Sequence, residues 1–351
     1  MGKADRSNHL LHHPFEKKPE IGTLQQVAPG IHWLRMPLPF ALDHINLWML
    51  EDGDSWTLVD TGVANDETIE LWQQLYRQQG DNRPIKRIVV THMHPDHIGL
   101  AGWLSKRCKA ELLMSRADYL SCQHLLSYSH EDAPEEALQF YRSAGFDDDQ
   151  IEMYNAQFGG FGKHVRALPH SFVNLREGDE ITIGEHRWRV LMGYGHSVEH
   201  VCLYSETLNV FISGDQLLPT ISSNVSVRPT EPKANPLQEW IDSCHRLNSK
   251  LNHDTLVLPA HGKPFIGALT RFGQMIEEHE HDLNKLLAFC DQPRSAIDAF
   301  PILFHSPITR KNLIMAIGES MAHFHCLLGR GLVTRTLDHN GVYRYQRINH
   351  G

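Results

Sequence analysis

Residues 91–97 read Thr-His-Met-His-Pro-Asp-His and place four potential metal ligands within six positions. The preceding residues, 87–91, are rich in β-branched side chains and predict a strand, whereas residues 98–106 predict a helix. Imidazole and carboxylate groups are the ligands that suit zinc, iron and manganese. We therefore expect a rigid turn between a strand and a helix that directs ligands toward a metal. Its four ligands would be His92, His94, Asp96 and His97.

Apolar strands run into polar residues at several other points of the chain. Residues 57–59, 188–192, 210–212 and 256–258 precede, in that order, Asp60, His196, Asp215 and His261. If these strands pack as a sandwich, their ends converge on one edge, where ligands bind in other α/β folds. Three glycines beside these residues permit sharp backbone turns near a crowded centre. The pattern predicts one site built from distant segments.

These residues give the sequence a resemblance to the metallo-β-lactamase superfamily of hydrolases. That superfamily includes glyoxalase II, lactonases, thioesterases, phosphodiesterases and nucleases. The resemblance spans roughly residues 25–265 and rests on an ordered set of ligands, which is far more specific than one motif. In order, the set is His92, His94, Asp96, His97, His196, Asp215 and His261. The resemblance implies an α+β fold, the four-layer αβ/βα sandwich of that superfamily.

The resemblance also implies two divalent metal ions. His92, His94 and His196 would hold the first, Asp96, His97 and His261 the second, and Asp215 would bridge them. Zinc is the favoured metal, with iron and manganese as alternatives, because all three accept these ligands. A bridging water would lose a proton near neutral pH, and the resulting hydroxide would attack a carbonyl or phosphorus centre.

Residues around these ligands receive further roles. The candidate catalytic residues are Asp96, Asp215 and Tyr194, and Asp60, at the family's early structural Asp, would orient a ligand from outside the metal shell. Tyr194 would donate a hydrogen bond to an oxyanion. Simple packing at a strand end is the competing interpretation for Tyr194.

Two loop cations, Lys263 and Arg228, are candidates for binding a phosphate or carboxylate of the substrate. An ordinary solvated position is the competing interpretation for each. A helical insert at about residues 116–158 carries apolar side chains that would line a substrate pocket or pack onto the sandwich.

The chain divides into three predicted parts. Residues 1–22 are expected to be a flexible N-terminal segment, 23–267 the catalytic domain, and 268–351 a small winged-helix-like domain. In that last part, helices precede a hairpin signalled by Asn340-Gly341. This arrangement resembles the extension of a glyoxalase II or thioesterase-like branch of the superfamily, and we expect it to pack on the main domain or in a homodimer.

Composition narrows the classes of function and compartment. The formal net charge of −9 argues against sequence-independent nucleic-acid binding, which needs clustered cations. No apolar stretch approaches the roughly 20 residues of a membrane span. The six scattered cysteines and the absence of an apolar signal segment in residues 1–22 favour the cytoplasm.

The sequence therefore predicts a metal-dependent hydrolase that cleaves a small-molecule thioester or related ester. A phosphodiesterase, a nuclease or a lactonase with the same dinuclear centre is the alternative within the hydrolases. A non-catalytic regulator that uses the winged-helix-like part is the alternative outside them.

Overall fold

The computed structural model describes residues 11–40, 42–78 and 83–348. In the described residues the first sheet contains, in spatial order, β1 (Leu24–Ala28), β2 (Ile31–Pro37), β3 (His44–Asp52), β4 (Ser55–Val59), β5 (Ile85–Val89), β6 (Glu111–Met114) and β7 (Val173–Asn174). The second contains β8 (Glu180–Ile183), β9 (His186–Gly193), β10 (His200–Ser205), β11 (Val210–Gly214), β12 (Leu256–Pro259) and β13 (Phe265–Ile266), also in spatial order. A separate hairpin pairs β14 (Val333–Leu337) with β15 (Tyr343–Arg347).

Helices lie outside the two sheets. They are α1 (Asp66–Gln78), α2 (Pro95–Ile98), α3 (Ala101–Cys108), α4 (Arg116–Ser127), α5 (Glu135–Ala144), α6 (Asp148–Gln157), α7 (Pro236–Asn248), α8 (Ala268–Phe289), α9 (Phe300–Leu303) and α10 (Leu313–Gly329). Among the described residues, none of the helices combines the length and apolar character that crossing a bilayer requires.

The side-chain alternation of β3 explains the layers. Leu47 and Met49 belong to an apolar cluster with Trp72 of α1, whereas Trp48 and Leu50 belong to a cluster between the two sheets. Successive strand residues point to opposite faces, so a strand buried along both faces must lie between two layers. The second sheet alternates in the same way and turns its other face toward α7. The predicted αβ/βα sandwich follows from this double burial.

The predicted helical insert forms α4, α5 and α6. Pro134 precedes α5, and Gly145 ends it with φ +110, a backbone conformation that side chains with a Cβ rarely adopt. Pro134 and Gly145 therefore mark the two ends of α5.

The C-terminal helices share a core with the main domain. Phe324 of α10 and Leu286 of α8 lie in one buried cluster with Trp240 of α7. The hairpin predicted after the helices forms as β14 and β15. The module thus packs on the main domain; residues 349–351 lie outside the described part of the chain.

The described part of the N-terminal segment contacts the second sheet, although residues 1–22 were expected to be flexible. Leu11 is buried with Phe265, and His12 exchanges two backbone hydrogen bonds with Ile266. The His13 ring lies 3.0 Å from the Pro264 carbonyl oxygen. Residues 1–10 lie outside the described residues.

Asp52, at the end of β3, connects the two sheets. Its buried carboxylate accepts hydrogen bonds from Thr57, from the Arg87 guanidinium and from the Gly184 N–H in the turn between β8 and β9. Burial alone would raise the pKa of Asp52, but these partners and Lys86 lower it below its ordinary value. The charged form therefore stabilises the fold.

We expect Asp52→Asn to lower the free energy of unfolding at pH 7 by about 2 kcal/mol, because Asn cannot replace the charge. A carboxyl with a lowered folded pKa contributes stability above its unfolded pKa, near 4, and loses it as the pH falls further. The deficit of Asp52→Asn should therefore shrink below about pH 4 in thermal unfolding from pH 7 to pH 3. The exposed Asp54→Asn should follow the native curve throughout. An Asp52→Asn deficit independent of pH would contradict this role.

Candidate metal centre

Seven predicted ligands meet at one edge of the sandwich. They follow β5, β9, β11 and β12, all at the carboxyl ends of their strands, and Asp96 and His97 lie in the short helix α2. Ligand atoms of the first group lie within 4.8 Å of one another, and so do those of the second. The first group is His92, His94, His196 and Asp215; the second is Asp96, His97 and His261.

The Asp215 carboxylate lies between the two groups. Its Oδ2 is 3.3 Å from His196 Nε2, whereas its Oδ1 is 3.5 Å from His97 Nε2 and 3.4 Å from His261 Nε2. Each oxygen thus faces a different set of imidazoles. This geometry allows one carboxylate to contact two cations.

Hydrogen bonds outside the cluster orient the rings. The Nδ1 atoms of His196 and His261 donate to backbone oxygens of Asn224 and His44, at 2.7 and 2.8 Å. His97 Nδ1 lies 2.7 Å from the Asp60 carboxylate. Because Nδ1 of each ring is engaged outside the cluster, Nε2 points inward and is the nitrogen that would bind a cation.

Two atoms of the cluster test whether a cation fits. His97 Nε2 and Asp215 Oδ1 are buried, and within the described chain neither has a hydrogen-bond partner. Buried polar atoms are rarely left unpaired, because each loses its hydration without compensation. A bound cation would satisfy both atoms, so the donor set fits a metal.

The electrostatics of the cluster favour neutral and anionic ligands in the first group. Burial, together with neighbouring imidazoles, lowers the pKa of His92 well below its ordinary value. Burial opposes ionisation of Asp215, but His97 and His261 hold the pKa of that carboxyl well below its usual range. Neutral imidazole and carboxylate are the forms that bind metals.

The pKa of His97 is shifted in the opposite direction. Burial lowers the pKa of His97, but the carboxylates of Asp96, Asp60 and Asp215 outweigh it and raise the pKa well above the ordinary value. The second group thus attracts positive charge. A cation bound there would meet the same field.

His200 supports the site without joining either group of ligands. Its Nε2 accepts the backbone N–H of Asp215 at 3.1 Å, and its ring stacks on His92 with centroids 4.7 Å apart. A Cβ on Gly214 would lie 2.5 Å from the His200 ring. These contacts give His200 a structural role, and the short distance requires a glycine at position 214.

Asp118, at the start of α4, is a functional residue that the sequence analysis missed. Its buried carboxylate accepts the N–H groups of Met93 and Glu199, at 2.9 and 2.8 Å, and the Ser197 hydroxyl at 3.3 Å. Burial raises the pKa of Asp118 to about 6, against these hydrogen bonds. Asp118 therefore ties the loop of His92 and His94 to the loop of His196. The only sequence signal was an Asp three residues after Ser115, a typical helix N-cap spacing.

The other predicted residues lie in different settings. The Tyr194 ring contacts the Arg246 guanidinium at 5.7 Å, which favours the packing interpretation. The Lys263 ammonium donates to the Glu16 carbonyl at 2.9 Å and is thus engaged by the N-terminal segment. Arg228, in contrast, reaches the cluster, where its Nη2 lies 3.4 Å from His94 Nε2.

A hydrogen-bond chain links the C-terminal module to the cluster. Glu319 of α10 accepts from Asn224 Nδ2 at 2.8 Å, and the Asn224 carbonyl accepts from His196 Nδ1. Burial raises the pKa of Glu319 to about 7, although the Asn224 hydrogen bond opposes the shift. The module thus contacts the residue that orients a ligand.

Comparison with known proteins agrees with this geometry. The metallo-beta-lactamase superfamily model matches residues 41–261, which contain all seven ligands. The chain belongs to the metallo-beta-lactamase superfamily. The metallo-beta-lactamase-like C-terminal domain model matches residues 283–348. The superfamily assignment therefore covers the sandwich, and a second match covers most of the C-terminal module.

Three similar proteins illustrate the range of sequence identity. A crystal structure of a beta-lactamase domain protein from Burkholderia ambifaria has 38% sequence identity and a TM-score of 0.89, and the match covers 99% of this chain and 100% of that one. The probable metallo-hydrolase YqjP of Bacillus subtilis is 26% identical over 88% of this chain and 96% of its own length. An acyl-coenzyme A thioesterase of Bos taurus is 22% identical, over 69% of this chain and 81% of its own.

We expect Asp118→Ala to weaken metal binding by about 10- to 100-fold, because residues that position metal ligands have effects of this size. Metal affinity would be measured by competition with a chromogenic chelator. The exposed Asp132→Ala is the matched control and should retain native affinity. Equal metal affinities of Asp118→Ala and the native protein would show that the Asp118 hydrogen bonds are not needed to position the ligand loops.

We also expect Glu319→Gln to change the pH dependence of stability. A carboxyl with a raised folded pKa contributes stability below its unfolded pKa, near 4.5, and loses it as the pH rises through about 7. The melting temperatures of native protein and Glu319→Gln should agree at pH 4, and the variant should melt about 2 °C higher at pH 8. The exposed Glu277→Gln is the control. Parallel melting curves of native protein and Glu319→Gln at both pH values would contradict the raised pKa.

Proposed function

We propose that this chain is a dinuclear metal-dependent hydrolase that cleaves a thioester or a related ester. The observation that carries the proposal is the position of Asp215, whose two oxygens face separate sets of imidazoles. A centre for a single ion would not need a buried carboxylate directed both ways. Zinc is the proposed metal, and the same ligands would accept iron or manganese.

The chain's own residues hold the ligands in place for this reaction. His92, His94 and His196 would bind one ion, Asp96, His97 and His261 the other, and Asp215 both. Bound divalent ions would lower the pKa of a water and polarise the ester carbonyl. Asp60, Asn224 and His44 keep the histidine nitrogens directed inward, so the ligands need little rearrangement when substrate arrives.

Two observations support a thioester or ester as the substrate. The similarity to the acyl-coenzyme A thioesterase extends over 69% of this chain, although identity is only 22%. The insert places Tyr141 and Tyr154 beside each other, with ring centroids 4.3 Å apart. Such rings would suit the apolar part of an acyl substrate.

The compartment and the branch of the superfamily belong to the same proposal. All six cysteines are free, as the reducing cytoplasm would require. Helices followed by the β14–β15 hairpin support a winged-helix-like extension of the glyoxalase II or thioesterase type. Its role here would be to support Asn224 through Glu319.

The test is turnover of a small panel, with metal content measured on the same sample. The panel contains an acyl-coenzyme A, S-lactoylglutathione, an acyl lactone, bis-p-nitrophenyl phosphate and a single-stranded RNA. We expect about two metals per chain and hydrolysis of a thioester or open ester. Asp215→Ala should reduce turnover by at least about 1,000-fold, as loss of a group central to catalysis does. The exposed Asp254→Ala should leave turnover unchanged.

Each other outcome identifies a different error. Cleavage of only the phosphodiester or the RNA would make the chain a phosphodiesterase or nuclease, and cleavage of only the lactone would make it a lactonase. Absence of metal and of turnover after reconstitution would remove the hydrolase proposal and favour a binding protein.

A further inference from the structure

Asn46, near the start of β3, is a polar residue buried between the two sheets. It is 1% exposed and lies on the same face of β3 as Trp48. β4 pairs with β3 as far as Val59, opposite Trp48, so the first residues of β3 extend beyond β4. The loop after β12, which carries His261, lies against this extension, and the Asn46 N–H donates to the Ala260 carbonyl at 2.7 Å. A strand of the first sheet thus holds a ligand loop of the second.

The Asn46 carboxamide contacts the backbone on both sides of His261. Its Nδ2 donates to the Pro259 carbonyl at 2.8 Å and to the Gly262 carbonyl at 2.9 Å. Its Oδ1 accepts from the Trp33 indole N–H at 2.8 Å. Because an indole N–H donates and does not accept, this contact determines which end of the amide faces the loop. Both amide hydrogens are therefore directed to the loop.

The same part of β3 holds the His261 ring. His261 Nδ1 donates to the His44 carbonyl at 2.8 Å, and its Nε2 lies 3.3 Å from an Asp96 oxygen and 3.4 Å from an Asp215 oxygen. The His44 contact orients the ring, whereas Asn46 sets the backbone from which the ring projects. The distance from His261 to the two carboxylates thus depends on both contacts.

We propose that Asn46 is a positioning residue for the second group of ligands, and that it acts on a bound ion through His261. This inference rests on the proposed dinuclear centre. Within the described part of the chain, the side-chain hydrogen bonds of Asn46 go to β2 and to the loop of His261, and none goes to the first group. Loss of the carboxamide therefore affects the ion of the second group more than the ion of the first.

A carboxamide is the side chain that fits these contacts. Leu has the same branched shape, but it would leave the Trp33 N–H and two carbonyl oxygens without partners. Buried polar groups that lose a partner are destabilised, so the loop would move until its carbonyls find other donors. Ser would retain one donor. The His261 ring would move with the loop.

The experiment measures metal binding in steps. Metal-free protein is titrated with Zn²⁺ in competition with a chromogenic chelator, and His261→Ala identifies the binding step that belongs to the second group. We expect Asn46→Leu to weaken that same step by about 10- to 100-fold, as residues that position metal ligands do. The other step should change by less than about threefold, because its ligands lie on other loops.

Two further variants control for stability and folding. Asp52→Asn removes a buried hydrogen-bonding group from the other end of β3, about 20 Å away along the strand. It should leave both binding steps within about twofold of the native values, although it also destabilises the fold. Asn46→Ser should weaken the step of His261 less than Asn46→Leu does, and it replaces that variant if Leu prevents folding. Melting temperatures establish that each variant is folded.

The outcomes separate this inference from the hydrolase proposal. If no ester is cleaved but the step of His261 depends on Asn46, the inference stands and the proposed reaction fails. Equal weakening of both steps, unchanged affinity in both Asn46 variants, or the same selective loss in Asp52→Asn would overturn the inference and leave the hydrolase proposal intact. A native protein that binds a single ion, insensitive to His261→Ala, would overturn both the inference and the dinuclear centre.

Discussion

One buried carboxylate, that of Asp60, orients a histidine in each half of the metal centre. It accepts the Thr91 N–H and hydroxyl, both at 2.8 Å, and contacts His97 directly. Since the Thr91 hydroxyl donates to Asp60, it is free to accept from His92 Nδ1, 3.1 Å away. The two histidines, His92 and His97, belong to different groups of ligands. The position of one group relative to the other therefore depends on Asp60.

The position of the Asp60 carboxylate requires a strained backbone conformation. Asp60 has φ +60, in the left-handed region, which costs a residue with a Cβ of order 1 kcal/mol or more. The conformation aims the carboxylate from the end of β4 toward the loop after β5. Strain of this kind persists where surrounding structure imposes it, and here a parallel strand pair fixes both ends.

The sequence predicted the ligands well because ligand chemistry restricts residue type. Histidine and aspartate at the ends of apolar strands leave a pattern that spacing reveals, and the structure brings those seven residues together. Asp118, Asn224 and Glu319 leave no such pattern, because they act on backbone groups or through one another. Their roles depend on which loops meet in space, and periodicity carries no information about that.

The positions of the two loop cations also could not be predicted from the sequence. Lys263 and Arg228 were equivalent in sequence, yet one contacts the Glu16 carbonyl and the other reaches His94. The difference arises from the N-terminal segment, which lies beside Lys263 and was expected to be flexible. This N-terminal segment has no regular periodicity, and its position depends on tertiary contacts that a sequence pattern does not reveal.

The position of that segment has a consequence for how the molecule behaves at high concentration. β13 lies at the edge of the second sheet, and an uncovered edge strand can pair with the edge of another molecule. The backbone of His12 pairs with Ile266 at that edge, while Leu11 covers the apolar side chains beside it. Leu11 and His12 thus cover this edge strand and oppose the pairing of sheets from two molecules.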